Sequence, residues 1–254
     1  MKLQVVCHEC IKNVPNDDLE KMGSFFSNYV YNGFPEIELD NTIPYYSYKC
    51  DKGHSTTFYL QNELYELLFQ QATYCIIDGY YREAITTYNA SLERFFEYAI
   101  EIIMHSNNPD VNFKNIWKQV SNQSERQLGV FYFLWTSFFK EEPPYLKRSM
   151  VNLRNDVVHK GALVSKEKSI KFGEYVFDYI RLLLDKVNSL NKEKDFLPAM
   201  QRQIRLVEAS RIKFDNIDSH STMVTPTFIT SFDSITTYDD IFLEKNQLPY
   251  GIIK

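Results

Sequence analysis

The sequence predicts a mainly α-helical fold: a helical bundle, preceded by a small β segment and followed by a C-terminal extension. Of the 254 residues, 44 % are hydrophobic and 24 % are charged, a balance typical of globular rather than disordered proteins. Prolines and glycines interrupt short apolar pieces in residues 1–58, helical periodicity dominates residues 59–195, and most of residues 196–254 lacks it. These differences define three predicted segments with those boundaries.

The β segment contains two short turns with metal-binding side chains, namely Cys7, Cys10, Cys50 and His54. The spacings are Cys-x2-Cys and Cys-x3-His, and Gly53 suits the tight backbone of the second turn. Each turn converges its two side chains, so together they can complete the tetrahedron that zinc prefers. We therefore predict a structural Zn2+ in a zinc-ribbon-like segment, with strand arms at residues 5–6 and 56–58. Two alternatives stay open: His8 as a rival ligand, and cysteines that are unrelated and reduced.

Apolar residues that recur every three or four positions predict the helices of the bundle. The predicted helices contain residues 64–75, 80–104, 113–120, 125–139, 146–159 and 166–190. In the first, Leu64, Leu68, Ala72 and Cys75 form the expected core stripe. We expect Pro143 and Pro144 to open the fifth helix and Gly161 to close it. The extension begins with one more predicted helix, residues 196–214, and continues as short strands or an extended arm.

The fifth predicted helix carries the stretch SMVNLRNDVVHKGAL. Its apolar stripe is Leu146, Met150, Leu153 and Val157, which must face the core. Asn155 and His159 lie on the nearly opposite, polar face, together with Arg148. Arg154 is about 140° around the helix from His159. The two can meet one ligand only if the arginine reaches round, the helix is distorted near its end, or a second subunit contributes.

These side chains are sufficient to cleave RNA through its own 2′-hydroxyl group. Arginine offers a planar, permanently charged fork that suits phosphate, and histidine can give or take a proton near neutral pH. The alternative is a solvated helix face on which a histidine and an arginine are close by coincidence.

Arg154-Asn155-x3-His159, on the penultimate long helix of a bundle, resembles the signature of the HEPN superfamily: an arginine, often followed by a polar residue, and then a histidine. The segment GYYREAITTYNASLERFFEYAI is similar to the long early helix of such domains. The resemblance covers roughly residues 60–190. Gly161 stands where toxins paired with nucleotidyltransferase antitoxins carry a tyrosine, so that subtype is not expected.

The resemblance implies an endoribonuclease that needs no metal for catalysis. Arg154 would hold the scissile phosphate, His159 would act as general acid or base, and Asn155 would orient one of them. We expect Lys147, Arg148 and Lys160 to contact the RNA. The implied partners are tRNA or mRNA, a second copy in a homodimer with a composite active site, and a regulatory protein. Many members are toxins or abortive-infection effectors of antiphage defence, and a zinc ribbon fits an accessory that senses or grips RNA.

The alternative function is a catalytically inactive HEPN-like module that binds RNA, a nucleotide or a partner protein. The net charge of −5 argues against a protein that coats nucleic acid without specificity. The longest apolar run, Val130 to Trp135, is too short to span a bilayer, and no apolar leader begins the chain. We therefore expect a cytoplasmic protein without a membrane partner.

Overall fold

The computed structural model describes residues 2–4, 7, 9–10, 20–21, 24, 36–38, 46–60, 63–108, 110–192 and 219–222. Within them the chain is mainly α-helical, so the predicted fold class is confirmed. Two compact units divide the chain. The first contains Met1–Asn62, Arg202–Pro226 and Leu243–Lys254, and the second contains Glu63–Gln201 and Thr227–Phe242. The segment boundaries predicted from the sequence stay predictions.

The first unit contains five described strands, which are β1 (Lys2–Gln4), β2 (Glu36–Glu38), β3 (Tyr46–Lys49), β4 (Ser55–Leu60) and β5 (Ser219–Thr222). β1 pairs with β2, and β3 pairs with β4, in both cases antiparallel. β5 adds to β4 in parallel. The predicted strand arm at residues 56–58 lies in β4. The predicted arm at residues 5–6 and the predicted helix at residues 196–214 lie outside the described residues.

The second unit contains six described helices, which are α1 (Leu64–Ile77), α2 (Tyr81–Asn107), α3 (Phe113–Trp117), α4 (Ser124–Phe139), α5 (Arg148–Lys160) and α6 (Lys166–Lys192). α2 is the central element, because it packs against α1, α4, α5 and α6. Its predicted apolar stripe is fully buried: Ile85, Leu92, Phe96, Ala99 and Ile103. This burial stabilises the bundle, since a fully buried large apolar side chain contributes about 1.5–3 kcal/mol.

The core stripe predicted for α1 is displaced by one residue. The buried face is Tyr65, Phe69, Ala72 and Ile76, whereas the predicted Leu64, Leu68 and Cys75 are only partly buried. Two aromatic rings determine the rotation of this helix. Tyr65 packs edge-on against Phe95 with ring centroids 5.3 Å apart, and Phe69 packs 4.8 Å from Tyr88. Aromatic side chains bury more apolar area than leucine side chains, so the rotation that turns Tyr65 and Phe69 into the core is the more stable one.

The start predicted for α5 was wrong, because the helix begins at Arg148 rather than at Pro143 and Pro144. A residue before proline disfavours the helical conformation, which keeps this segment extended. Three tyrosine hydroxyl groups then bond its backbone: Tyr132 accepts from Leu146 N at 3.2 Å, Tyr175 accepts from Lys147 N at 2.8 Å, and Tyr179 donates to Pro144 O at 2.6 Å. The predicted end at Gly161 is confirmed, with φ of 68° and its N–H bonded to Asp156 O.

Replacing Gly161 with alanine should lower the free energy of unfolding by about 1 kcal/mol, since a side chain there meets a left-handed backbone. The matched control is Gly129→Ala inside α4. A Cβ at either position meets nothing within 4 Å, so backbone conformation alone separates the two. The control should raise the free energy of unfolding by about 0.5–1 kcal/mol. Urea denaturation followed by circular dichroism measures both, and a shift of the same sign in both variants would contradict the assignment.

Candidate functional site

The Arg154 side chain joins groups from three helices. Its Nη1 donates to Asn155 Oδ1 at 2.9 Å and lies 3.2 Å from His159 Nε2, both on its own helix. Its Nη2 donates to Glu93 Oε1 of α2 at 3.3 Å and to Ser124 Oγ of α4 at 3.4 Å. Of the three arrangements that the sequence left open, the structure shows the first: the arginine reaches round its own helix to the histidine.

The contact between Arg154 and His159 constrains the chemistry of the imidazole. A guanidinium group can only donate hydrogen bonds, so a hydrogen bond at 3.2 Å requires a lone pair on His159 Nε2. That lone pair exists in the neutral ring with its proton on Nδ1. His159 is solvent-exposed at the end of α5. In this arrangement the Nε2 lone pair is directed at the guanidinium group, so it becomes available to another proton donor only when Arg154 turns to a different partner.

Glu93 holds the guanidinium group from the other side. The Arg154 and Glu93 side chains are 14 % and 24 % exposed, so water screens this ion pair less than a surface pair. The same carboxylate oxygen accepts a hydrogen bond from Asn89 Nδ2 at 2.8 Å. Asn89 thereby fixes the rotamer of Glu93, and Glu93 fixes that of Arg154.

A pocket of about 230 Å³ opens beside this cluster. Both Arg154 and Asn155 line it, and the other walls come from α2, α4, α6 and the segment before α5. Its apolar lining includes Leu92, Phe96 and Phe172. The cluster therefore combines a charged edge with a mostly apolar recess, a combination typical of ligand sites.

The structure separates two of the predicted RNA-contacting residues from this cluster. Arg148 is the first residue of α5, so it lies about 16 Å along the helix axis from His159 at 1.5 Å per residue. Lys147 precedes it, and its ammonium group stands 5.4 Å from the centre of a tyrosine ring in α6. Lys160 is next to His159 and forms an exposed ion pair with Asp156 at 2.7 Å.

Sequence reasoning gave no role to three residues that contact the cluster. Asn89 and Glu93 are four residues apart on α2, so they share a face, and this spacing was the only signal that the sequence offered for them. Ser124 is the first residue of α4, and serine is common at helix starts because its hydroxyl group can bond free backbone N–H groups there. The sequence therefore gives no indication that Ser124 contacts Arg154.

The four predicted metal ligands of the first unit converge. The ligand atoms of Cys7, Cys10, Cys50 and His54 all lie within 4.8 Å of one another. Cys10 Sγ is 3.3 Å from His54 Nδ1 and 3.9 Å from Cys50 Sγ, and Cys7 Sγ is 3.8 Å from His54 Nδ1. All three cysteines are buried. These residues could hold a metal ion. His8 lies outside the described residues.

The loop between β3 and β4 forms the second turn of this cluster. Cys50 N donates to His54 O at 2.9 Å, and Gly53 N donates to Cys50 O at 2.8 Å. Gly53 has φ of 84°, which a residue with a Cβ rarely adopts. This closed turn directs both ligand side chains to one point.

Burial, together with the neighbouring Cys7 and Cys50, raises the pKa of the Cys10 thiol to about 12. A cation that binds thiolates would stabilise the ionised form of this thiol and release a proton from it.

No protein-family model, no curated protein and no solved structure matches this chain. Among the described helices, none is both long and apolar enough to cross a membrane.

The purified chain should carry about one metal ion per molecule, and Cys50→Ser should lose most of it, because a hydroxyl group is a far poorer soft-metal ligand than a thiolate. Cys75→Ser is the matched control, since Cys75 is the described cysteine outside the cluster. Mass spectrometry of the metal content measures both. Equal metal content in the two variants would contradict the assignment of these ligands.

Proposed function

We propose that this protein is a metal-independent endoribonuclease of HEPN type, which cleaves RNA by attack of the 2′-hydroxyl group. The observation that carries the proposal is the contact of Arg154 Nη1 with both His159 Nε2 and Asn155 Oδ1. The contact brings a guanidinium group, an imidazole nitrogen and an amide oxygen within 3.2 Å, and in the proposed function these groups bind phosphate, transfer a proton and orient the arginine.

In the proposed reaction, the scissile phosphate replaces His159 as the partner of Arg154 Nη1. The Nε2 lone pair of His159 is thereby freed and takes the proton from the 2′-hydroxyl group. The 2′-oxygen then bonds to phosphorus, the bond from phosphorus to the 5′-oxygen breaks, and a 2′,3′-cyclic phosphate forms. The leaving 5′-oxygen takes a proton from a second imidazolium ion. A homodimer in which both motifs face one cleft would supply that second histidine. Proton transfer of this kind contributes roughly 10²–10⁴-fold to a rate.

Arg154 stabilises the charge that develops on the phosphate oxygens. Its guanidinium group is held by Glu93 and Ser124 before any substrate binds, so little rotamer entropy is lost on binding. Asn155 keeps the fork in the plane that faces His159. The three predicted catalytic residues thus act as one unit, in which Arg154 binds phosphate, Asn155 orients the arginine and His159 moves the proton.

The metal cluster of the first unit is assigned to a structural Zn2+. Three sulfur ligands and one imidazole nitrogen are a donor set typical of closed tetrahedral zinc sites. With four protein ligands there is no open position for substrate. The ion would order the turns of a zinc-ribbon-like segment that senses or binds RNA.

In this proposal the chain is a cytoplasmic toxin or antiphage defence effector, its substrate is tRNA or mRNA, and a regulatory protein controls it.

A second candidate function is a catalytically inactive module that binds a nucleotide. The pocket beside Arg154 favours it, because a recess with an arginine at its edge can hold a phosphorylated ligand without reaction. The ribonuclease needs His159 to transfer a proton, whereas the binding module does not need it, because His159 does not line the pocket.

His159→Ala should reduce cleavage of total bacterial RNA at least about 100-fold, because it removes the proton acceptor. The residue is exposed, so the fold should be unchanged. Lys168→Ala, an exposed cation on α6, is the matched control and should cleave like wild type. The assay is run in EDTA, and the product ends are mapped. Wild-type products ending in 2′,3′-cyclic phosphates support the proposal, whereas undiminished cleavage by His159→Ala would overturn it.

Arg154→Lys should also reduce cleavage about 100-fold, although it keeps the positive charge. A lysine cannot contact His159, Asn155, Glu93 and Ser124 at once, because its three donors sit on one atom. Single-turnover kinetics with saturating RNA separates this effect from weaker binding. A fully active Arg154→Lys would show that charge alone suffices and that the fork geometry has no role.

A further inference from the structure

We propose that the pocket beside Arg154 binds one base of the RNA substrate and that it selects guanine. The inference rests on the proposed function, because it assigns the substrate preference of the same site. Arg154, Asn155 and the three residues that position the arginine (Asn89, Glu93 and Ser124) have roles in the reaction described above, but the remaining, mostly apolar lining of this pocket has none and needs a separate explanation.

The connection between pocket and reaction is the Arg154 side chain. It lines the pocket, and its Nη1 is 3.2 Å from His159 Nε2. A phosphate bound at this guanidinium group is therefore next to both the histidine and the mouth of the recess. The base of the same nucleotide is the part of the substrate that can enter it. The pocket can therefore determine which nucleotide of the RNA places its phosphate group at Arg154.

The size and lining of the pocket fit one flat ring system. Its volume of about 230 Å³ is below the range of about 300–1,000 Å³ that drug-sized ligands occupy. Phe96 and Phe172 in its lining are 3 % and 2 % exposed, so their rings are fixed by the core. Rigid apolar walls of this kind favour a flat heterocycle over a flexible ammonium ligand.

The pocket lining contains two carboxylates together with the guanidinium group of Arg154 and several amide and hydroxyl groups. Glu93 Oε1 already accepts from Arg154 and Asn89, and within the described ranges its Oε2 has no partner. Glu125 also lines the pocket, and its exposed carboxylate has no described partner either. A base that donates hydrogen bonds to these carboxylate oxygens is therefore favoured.

Guanine meets that requirement best among the four bases. Its Watson–Crick edge presents two adjacent donors, the N1–H and N2–H₂ groups, which can both bond to carboxylates, and one acceptor, O6, which can accept from Arg154 in the same lining. Adenine and cytosine each present one amino group beside an acceptor nitrogen, and uracil presents one N–H between two carbonyl oxygens. These three bases offer the carboxylates one donor group instead of two, and an acceptor placed beside a carboxylate would lose its hydrogen bond to water without a replacement, which is costly.

The first test uses the full-length chain and titration calorimetry with nucleoside 3′-monophosphates. Guanosine 3′-monophosphate should bind about tenfold more tightly than inosine 3′-monophosphate, which lacks only the N2 amino group, because a hydrogen bond to a carboxylate is lost. The adenosine, cytidine and uridine compounds should bind more weakly still. Equal affinities for all five would overturn the proposal, and this test needs no variant that must fold.

A second test fills the pocket. Val151 is a half-buried lining residue on α5, and Val151→Phe should weaken binding of guanosine 3′-monophosphate at least tenfold. Val158→Phe is the matched control, because Val158 is also half-buried on α5 but does not line the pocket. Retained binding in Val151→Phe, with circular dichroism like that of the control, would overturn the proposal.

Cleavage mapping separates failure of this inference from failure of the proposed function. Wild-type cleavage that depends on His159 but shows no preference for guanine would overturn the inference and leave the ribonuclease intact. Selective binding of guanosine 3′-monophosphate by a chain that cleaves no RNA would overturn the ribonuclease and support the pocket. Cleavage confined to one side of guanosines, lost in Val151→Phe, supports both.

Discussion

The Arg154 side chain crosses from α5 to α2 and α4, and its four polar contacts set the positions of the groups around it. Its charge is balanced by Glu93, and both side chains are largely shielded from water. Removing either partner would leave a poorly solvated charge, which costs more than the pair contributes. The Glu93 carboxylate therefore holds the Arg154 side chain in place, and the contact between Arg154 and His159 depends on this ion pair.

A second constraint places the helix that carries this arginine. The hydroxyl groups of Tyr132, Tyr175 and Tyr179 bond the extended segment before α5 and so fix where the helix begins. Burial raises the pKa of Tyr179 well above its ordinary value, so this phenol stays neutral and remains a donor to Pro144 O. Val157 then seats the other end of α5 in the core. Held at both ends, the helix keeps its polar face outward and within reach of α2.

Periodicity was enough to predict the helices, because apolar spacing reports directly which face is buried. It failed in α1, where the choice between neighbouring positions depends on ring contacts with α2. The cysteine spacing predicted the four converging ligands, since two short turns restrict geometry strongly. The site on α5 was predictable only in part: Asn155 and His159 share a face by spacing, whereas the reach of Arg154 and the arrival of Ser124 depend on side-chain rotamers and tertiary packing.

In the proposed function Arg154 binds a phosphate group, and Glu93 beside it lowers the affinity of that site for any anion, so the presence of Glu93 needs a compensating benefit. Orientation is one benefit, because Asn89 and Glu93 together hold the guanidinium group toward His159. In the proposed base selection, discrimination between bases is the second benefit. Repulsion by the carboxylates weakens the binding of every phosphate group alike, and a base that donates hydrogen bonds to these carboxylates recovers part of the lost binding free energy. A site that binds the phosphate backbone of RNA weakly and one base favourably gains selectivity for that base without gaining overall affinity.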